Sequence, residues 1–239
     1  MKNIKVFALL FTTFLFLNFN HTSSQAFAQN SIKSFAIKES FAKLDSSKGQ
    51  LFQVSTEKSK IRFLVYSAGL FPSLGHNHVI STPQFESYCY LGNLLEDSQC
   101  SLGLRLADLE IDNPQHRQVA GADFSSQPSK EDINGTRNHM LGIDNLQADQ
   151  YPLLIIKTGS ITGKVPEMNT SLIIELHGKT FTYPIKVLLT KNLDTLQIKG
   201  NFSMKQSDFG IQPYSALGGV LAVQDEIKVT FDLIANKAL

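Results

Sequence analysis

Residues 195–205 read TLQIKGNFSMK, and this stretch alternates apolar with polar side chains. Its apolar members are Leu196, Ile198, Phe202 and Met204. Because successive side chains of a strand point to opposite faces, the pattern predicts a β-strand with one apolar and one wet face. Strands of this kind must close over a shared core, as a β-sandwich or a β-barrel.

The same period of two recurs along most of the chain. Alternating apolar positions are Ile61, Phe63 and Val65, then Leu102, Leu104 and Leu106, and finally Ile227, Val229, Phe231 and Leu233. Further strand candidates are residues 51–56, 79–90, 153–163, 170–176 and 180–190, separated by Gly, Asn, Asp and Pro. Most links are short, which favours antiparallel neighbours. We therefore expect an all-β fold, an antiparallel up-and-down barrel of about eight strands over residues 51–239.

Two segments depart from this period. Residues 112–151 form the only long connection between strand candidates, and residues 133–146 within it have a helical pattern, which predicts one inserted helix. Residues 29–50 are rich in Ser and Lys with scattered apolar side chains. They are interpreted as a linker or a short amphipathic helix.

The N-terminus has the features of a secretory signal peptide. Lys2 and Lys5 precede an apolar run over residues 6–17, and residues 26–28 read AFA, a small-x-small pattern. The alternative, a membrane anchor, is disfavoured because the run is shorter than the roughly 18 residues of a membrane span. We expect cleavage after Ala28, a periplasmic or secreted product, and no membrane span in the mature chain.

Charge and motifs exclude several classes of function. The chain has 22 Lys and Arg against 21 Asp and Glu, without a basic cluster, which argues against nucleic acid as a partner. Gly-x-Ser-x-Gly and Gly-rich phosphate loops are absent from the sequence, and its paired carboxylates lie in expected turns and strand starts. The sequence does not predict an enzyme.

Cys89 and Cys100 are the only cysteines. Export would place them in an oxidising compartment, where a disulfide across a hairpin is plausible. Two free buried thiols remain the alternative. Neither state is catalytic, because the Cys-x-x-Cys spacing is missing.

The most unusual local sequence is GHNH at residues 75–78. In an extended segment, His76 and His78 share a face and are able to present two imidazoles to one metal or one polar head group. A metal would need further ligands from distant parts of the chain. The alternative is that both rings hydrogen-bond to backbone groups in a tight turn or line the mouth of a cavity. Arg137 and His139, on the predicted helix, are candidates for the same region.

Four motifs in order resemble those of the YceI-like family. They are Phe63 in an early strand, Tyr151-Pro152 after a helix, the LHGKT sequence at residues 176–180, and the SDFGI sequence at residues 207–211. The resemblance spans residues 51–237 and implies a lipocalin-like barrel, exported to the periplasm, with an interior tunnel for a polyisoprenoid or isoprenoid-quinone chain. In place of the family's Gly-rich early segment the chain has residues 71–78, which look like those of a less studied subgroup. The two cysteines are likewise outside the general family pattern.

We therefore expect an exported protein that sequesters or carries an apolar isoprenoid-type lipid, with no required cofactor. The expected lining residues are Phe63, Val65, Leu102, Leu104, Phe202, Met204, Val229 and Phe231. A polar head group is expected near His76, His78, Arg137 or His139, and an exposed strand edge or the N-terminal segment is a candidate contact for a homodimer. The alternatives are a histidine-dependent metal or redox protein, and a surface interaction module with a solid core.

Overall fold

The computed structural model of the chain describes residues 37–71 and 75–238; the expected signal peptide, residues 1–28, lies outside the described residues. The strands are β1 (Gly49–Val54), β2 (Lys60–Ala68), β3 (His78–Ser81), β4 (Glu86–Gly92), β5 (Gln99–Arg105), β6 (Glu110–Ile111), β7 (Leu153–Thr158), β8 (Thr162–Lys164), β9 (Glu167–Leu176), β10 (Lys179–Lys191), β11 (Thr195–Lys205), β12 (Ser215–Ala216) and β13 (Leu221–Lys237). The helices are α1 (Ile37–Ser40), α2 (Pro114–Ala120) and α3 (Lys130–Leu141). Short 3-10 turns lie at Leu95–Asp97, Leu106–Asp108, Ala122–Phe124, Gln206–Phe209 and Leu217–Gly219.

Eight of the strands close into a ring. Their order is β1, β4, β5, β7, β9, β10, β11 and β13, every pair is antiparallel, and β13 pairs back onto β1. At the closing seam Phe52 lies opposite Lys237 and Val54 opposite Ala235. The predicted antiparallel barrel of about eight strands is therefore confirmed.

Strand β13 pairs with two different strands along one edge. Its residues 235–237 pair with β1, whereas its residues 222–232 pair with β2. Strand β2 pairs in turn with β3, and β3 with β6. The barrel wall is thus extended beyond the ring by three strands at one end.

The predicted strand over residues 79–90 is wrong as a single strand. The chain forms β3 and β4 instead, and the two do not pair with each other: β3 lies between β2 and β6, and β4 between β1 and β5. Pro83 interrupts the run because it has no N–H to donate to a ladder. Next to it, the Thr82 hydroxyl donates to the Gln84 carbonyl at 2.7 Å and turns the chain.

The long connection contains the predicted helix and an additional one. Helix α3 begins earlier than residue 133 because Ser129 forms a capping box with Asp132, each side chain bonding the other's backbone N–H. Helix α2 was not expected from the sequence. Its signals are the Asn113 side chain, which accepts from the N–H groups of Gln115 and His116, and Pro114 at the first helical position.

Within residues 29–50, the described part contains α1, and residues 29–36 lie outside the described residues. Ile37 and Phe41 are buried against Tyr88 and Tyr90 in a cluster separate from the main core. Since Cys89 between these tyrosines belongs to the main core, the cluster lies on the outer face of β4.

A disulfide joins Cys89 on β4 to Cys100 on β5, which are directly paired across the ladder. The disulfide alternative is confirmed over free thiols. A loop closed between residues only 11 apart is expected to stabilise the fold by about 2–3 kcal/mol. Among the described residues, no helix is long and apolar enough to cross a membrane.

Candidate functional site

The described residues enclose two cavities in the interior. The outer chamber, about 440 Å³, lies beneath α3 at the end of the barrel where β2 and β3 extend the wall. Its wall consists of Phe63, Val65, His78, Ile80, Leu106, Leu109, Gly135, Thr136, His139, Met140, Asn145, Leu146, Leu154, Leu176, Met204, Gln206, Ile211, Tyr214, Val223 and Ile227. The inner chamber, about 110 Å³, is lined largely by inward-facing side chains of the strands.

All eight lining residues expected from the sequence lie in these walls. Phe63, Val65 and Met204 line the outer chamber. The inner chamber is lined by Phe63 again together with Leu102, Leu104, Phe202, Val229 and Phe231. The alternation that predicted strands therefore also identified the inward faces, while ligand binding by these residues stays a prediction.

His78 is held in the wall of the outer chamber by a buried ionic cluster. Its Nδ1 lies 2.6 Å from Oδ2 of Asp112, whose side chain is fully buried. The other carboxylate oxygen, Oδ1, accepts from the Val79 N–H at 2.9 Å and from the Arg117 guanidinium. Arg117 also donates to the Asn77 carbonyl at 2.7 Å, so the cluster fixes the backbone of the GHNH segment.

The carboxyl group of Asp112 is ionised in this setting. Burial acts to raise its pKa, but the hydrogen bonds from His78 and Val79, the charge of His78 and the hydrogen bond from Arg117 outweigh it and hold the pKa below its usual value. A carboxylate is only an acceptor, so the proton in the 2.6 Å contact lies on Nδ1 of His78. Among the described residues, Nε2 of this ring has no hydrogen-bond partner.

Besides His78 and Thr136, four polar side chains share the wall of the outer chamber. The His139 ring lies edge-on to Tyr214, with ring centroids 4.4 Å apart. Asn145 donates to the Gln212 carbonyl at 3.2 Å, and the Gln206 side chain donates to the Gln224 carbonyl at 2.9 Å. The wall is thus mainly apolar and includes several polar side chains that are oriented by hydrogen bonds or ring contacts.

The other two residues expected near a head group lie outside this wall. The His76 ring lies edge-on to that of His78, with centroids 6.4 Å apart. Arg137 donates from both guanidinium NH groups to backbone carbonyls, to that of Leu109 at 2.5 Å and to that of Ala107. This places Arg137 in a structural role, since it fastens α3 to the segment between β5 and β6.

The metal alternative finds no donor set in the part of the chain that the structure describes. No group of three or more His, Cys, Asp and Glu side chains there has an arrangement that could hold a metal ion. Nδ1 of His78 is already bonded to Asp112. The solid-core alternative disagrees with the two cavities.

The LHGKT and SDFGI motifs come together with Tyr151 beside the outer chamber. The Tyr151 and His177 rings lie 4.7 Å apart, and Nδ1 of His177 donates to the carbonyl of Phe209, which is fully buried. Gly178 has a φ of +69°, and a Cβ there would lie 2.8 Å from the Tyr151 ring. The motifs therefore pack one end of the barrel, and their own residues Leu176 and Ile211 line the chamber.

The sequence did not point to Asp112, which is the partner of His78, or to Arg117, which donates to Asp112. Asp112 appeared only as the start of the long connection, and Arg117 lies on the unexpected helix α2. The available signal was the Asn113-Pro114 helix start, which would have placed a buried face of α2 against β3.

Comparison with known proteins agrees with this architecture. The sequence model of the YceI-like domain matches residues 52–235. Among solved structures, Burkholderia cenocepacia BcnA aligns with a TM-score of 0.57 at 15% identity, covering 77% of this chain and 99% of that chain. The Campylobacter jejuni YCEI protein aligns with a TM-score of 0.49 at 12% identity, over 67% of this chain and 85% of that one. Among curated proteins nothing matches. At these identities the likeness to BcnA supports the fold alone.

Proposed function

The chain belongs to the YceI-like family, and from this premise we propose that it is an exported protein that binds one isoprenoid-type lipid, a polyisoprenoid or an isoprenoid quinone, within the barrel. The observation that carries the proposal is the outer chamber, a largely apolar cavity of about 440 Å³ with an oriented polar cluster in its wall. The proposed role is binding, not catalysis.

The size and chemistry of the outer chamber suit a lipid chain. Small-molecule pockets typically enclose roughly 300–1,000 Å³ and combine an apolar lining with a few placed polar groups. Removing an alkyl chain from water contributes roughly 0.8 kcal/mol for each CH₂ group. Tight binding then needs no charge on the ligand.

The polar end of the ligand is proposed to lie against His78. Since Nδ1 of this ring is bonded to Asp112, the ring presents its unpartnered Nε2 as the remaining polar atom. A hydroxyl or carbonyl head group, as in a prenyl alcohol or a quinone, matches one such atom. His139, Asn145 and Tyr214 in the same wall supply further polar neighbours.

The proposed location is the periplasm or the extracellular space. The disulfide between Cys89 and Cys100 supports an oxidising compartment. Export also rests on the signal-peptide pattern of residues 1–28, so fractionation of cells that produce the full chain tests it directly.

The decisive experiment is organic extraction of the purified protein followed by mass spectrometry, compared with two substitutions of Gly135. This glycine on α3 lines the outer chamber, and a Cβ added there has no atom within 4 Å. Gly135 lies on the exposed side of α3 at the rim of the outer chamber, and Gly135→Trp is expected to obstruct this rim and lower lipid retention without disturbing the barrel. Gly135→Ala is the matched control and is expected to retain lipid, because a single methyl group leaves the chamber open.

Each outcome bears on the proposal. A prenyl lipid in the wild type and in Gly135→Ala, with less of it in Gly135→Trp, supports it. A clean extract from the wild type, with no uptake of farnesol or a short isoprenoid quinone when these are offered, contradicts it. Equal lipid in all three proteins would contradict a lipid that occupies the part of the chamber beside Gly135.

A further inference from the structure

Among the described residues, Phe63 is the one that lines both chambers. Its side chain lies in the walls of both cavities and is 9% exposed. On β2, Phe63 is paired with Val229 of β13 on one side and with Ile80 of β3 on the other. Val229 lines the inner chamber only, and Ile80 the outer chamber only. Phe63 therefore stands where the ring of strands passes into its extension.

The two chambers differ in whether each is large enough to hold a ligand by itself. At about 440 Å³ the outer chamber alone is large enough for a ligand, whereas the inner chamber at about 110 Å³ falls below the usual range for a separate binding site. Phe63 is the residue at which the two walls meet, so a chain that fills the outer chamber would extend past its ring to reach the inner one.

We propose that Phe63 is a specificity-determining residue for ligand length. Its ring sets the chain length beyond which further CH₂ groups no longer add their full gain in affinity. A chain that fills the outer chamber leaves the ring in place. A longer chain must displace the ring from its packed position before its end reaches the inner chamber, and displacement of a packed aromatic side chain opposes binding. This inference rests on the proposed lipid-binding function.

The experiment measures dissociation constants for straight-chain alcohols of increasing length, from octanol upward, with farnesol as a reference. In the wild type each added CH₂ group is expected to tighten binding roughly fourfold until the chain reaches Phe63, after which the gain per CH₂ falls. In Phe63→Ala the two chambers join, and the gain is expected to continue past that length. Phe63→Leu keeps a large apolar side chain and is expected to show a weaker break.

Phe202→Ala is the matched control. Phe202 lines the inner chamber but not the outer one, so its truncation enlarges the inner space without removing the partition. The break is expected to stay at the wild-type length. This separates a partition from a general effect of losing one phenylalanine from the core.

The inference is overturned if the wild type shows no break, or if Phe63→Ala keeps the break at the wild-type length. Loss of affinity at every chain length in Phe63→Ala, with normal circular dichroism, would also overturn it. If Phe63→Ala does not fold, an unchanged break in Phe63→Leu has the same meaning. Failure is distinguishable from failure of the proposed function, because in the latter case the wild type binds neither farnesol nor any alcohol.

Discussion

The inner and outer chambers are built by different means. Apart from Ile161, every residue that lines the inner chamber lies on a strand, and apart from Ser101 these are alternating positions. The outer chamber has four wall residues on α3 and others in turns and loops, including Asn145 and Tyr214. Regular strands thus produce an apolar cavity, whereas most polar groups of the outer chamber, His78 on β3 excepted, come from segments inserted between strands. The polar part of the outer wall therefore depends on these inserted segments.

The largest expected loss of stability follows from a change in the ionic cluster that holds His78. Asp112→Asn leaves Arg117 buried with a neutral partner in place of a carboxylate, and loss of one partner of a buried ion pair typically costs about 3–5 kcal/mol. Denaturant unfolding measures the total loss. Native-state hydrogen exchange is expected to locate it in α2 and β3, with β9 to β11 little changed.

Asp108→Asn is the matched control for this change. Asp108 forms an exposed ion pair with Arg105 at 2.9 Å, and exposed pairs of this kind contribute about 0–1 kcal/mol. Equal losses of unfolding free energy in the two variants would show that the buried cluster stabilises the fold no more than an exposed ion pair.

The next largest effect is expected in the inner chamber. Leu104 is fully buried and lines this cavity, so Leu104→Ala removes packed methyl groups beside an existing void and is expected to cost about 3 kcal/mol. Leu188→Ala on β10 is the control, because Leu188 is 50% exposed. Thermal or urea unfolding checks both values. Loss of farnesol affinity on Leu104→Ala would contradict the separation of the chambers.

The smallest effect is a dependence on pH. Because the pKa of Asp112 is lowered in the folded state, its contribution to stability is fully present above the unfolded value of about 4 and is lost as pH falls through the folded pKa. The wild type is therefore expected to lose stability more steeply in acid than Asp112→Asn. The difference between their free energies of unfolding should shrink as pH falls below about 4. A constant difference would contradict an ionised Asp112.

The strands could be predicted from the sequence where apolar and polar side chains alternate, because one face of such a strand is buried and the other is in contact with solvent. Residues 195–205 form β11 over their whole length because their alternation is uninterrupted. The break between β3 and β4 was missed because both sides of Pro83 are rich in apolar and aromatic residues, which conceals a change of partner strand. Which strands pair is determined by long-range contacts when the barrel closes, and the local alternation of side chains does not encode these contacts.

The candidate site was predictable in its apolar part alone. Inward positions such as Leu102 and Val229 follow from the strand period. The role of His78 depends on Asp112 and Arg117, which lie 34 and 39 residues further along the chain in an irregular connection. Arg137 shows the converse: its charge suggested a ligand contact, but backbone carbonyls already occupy it. A homodimer stays a prediction.

The closing seam also determines when, during synthesis of the chain, the barrel is able to close. Strand β1 begins at residue 49, and the partners that complete the ring are residues 235–237 of β13. Pairing of segments so distant in sequence makes folding slow relative to the formation of local hairpins. A ribosome must therefore synthesise nearly two hundred residues after β1 before the cylinder is sealed, roughly ten seconds or more at usual elongation rates. Until then the nascent chain has open strand edges, which are able to pair with other chains.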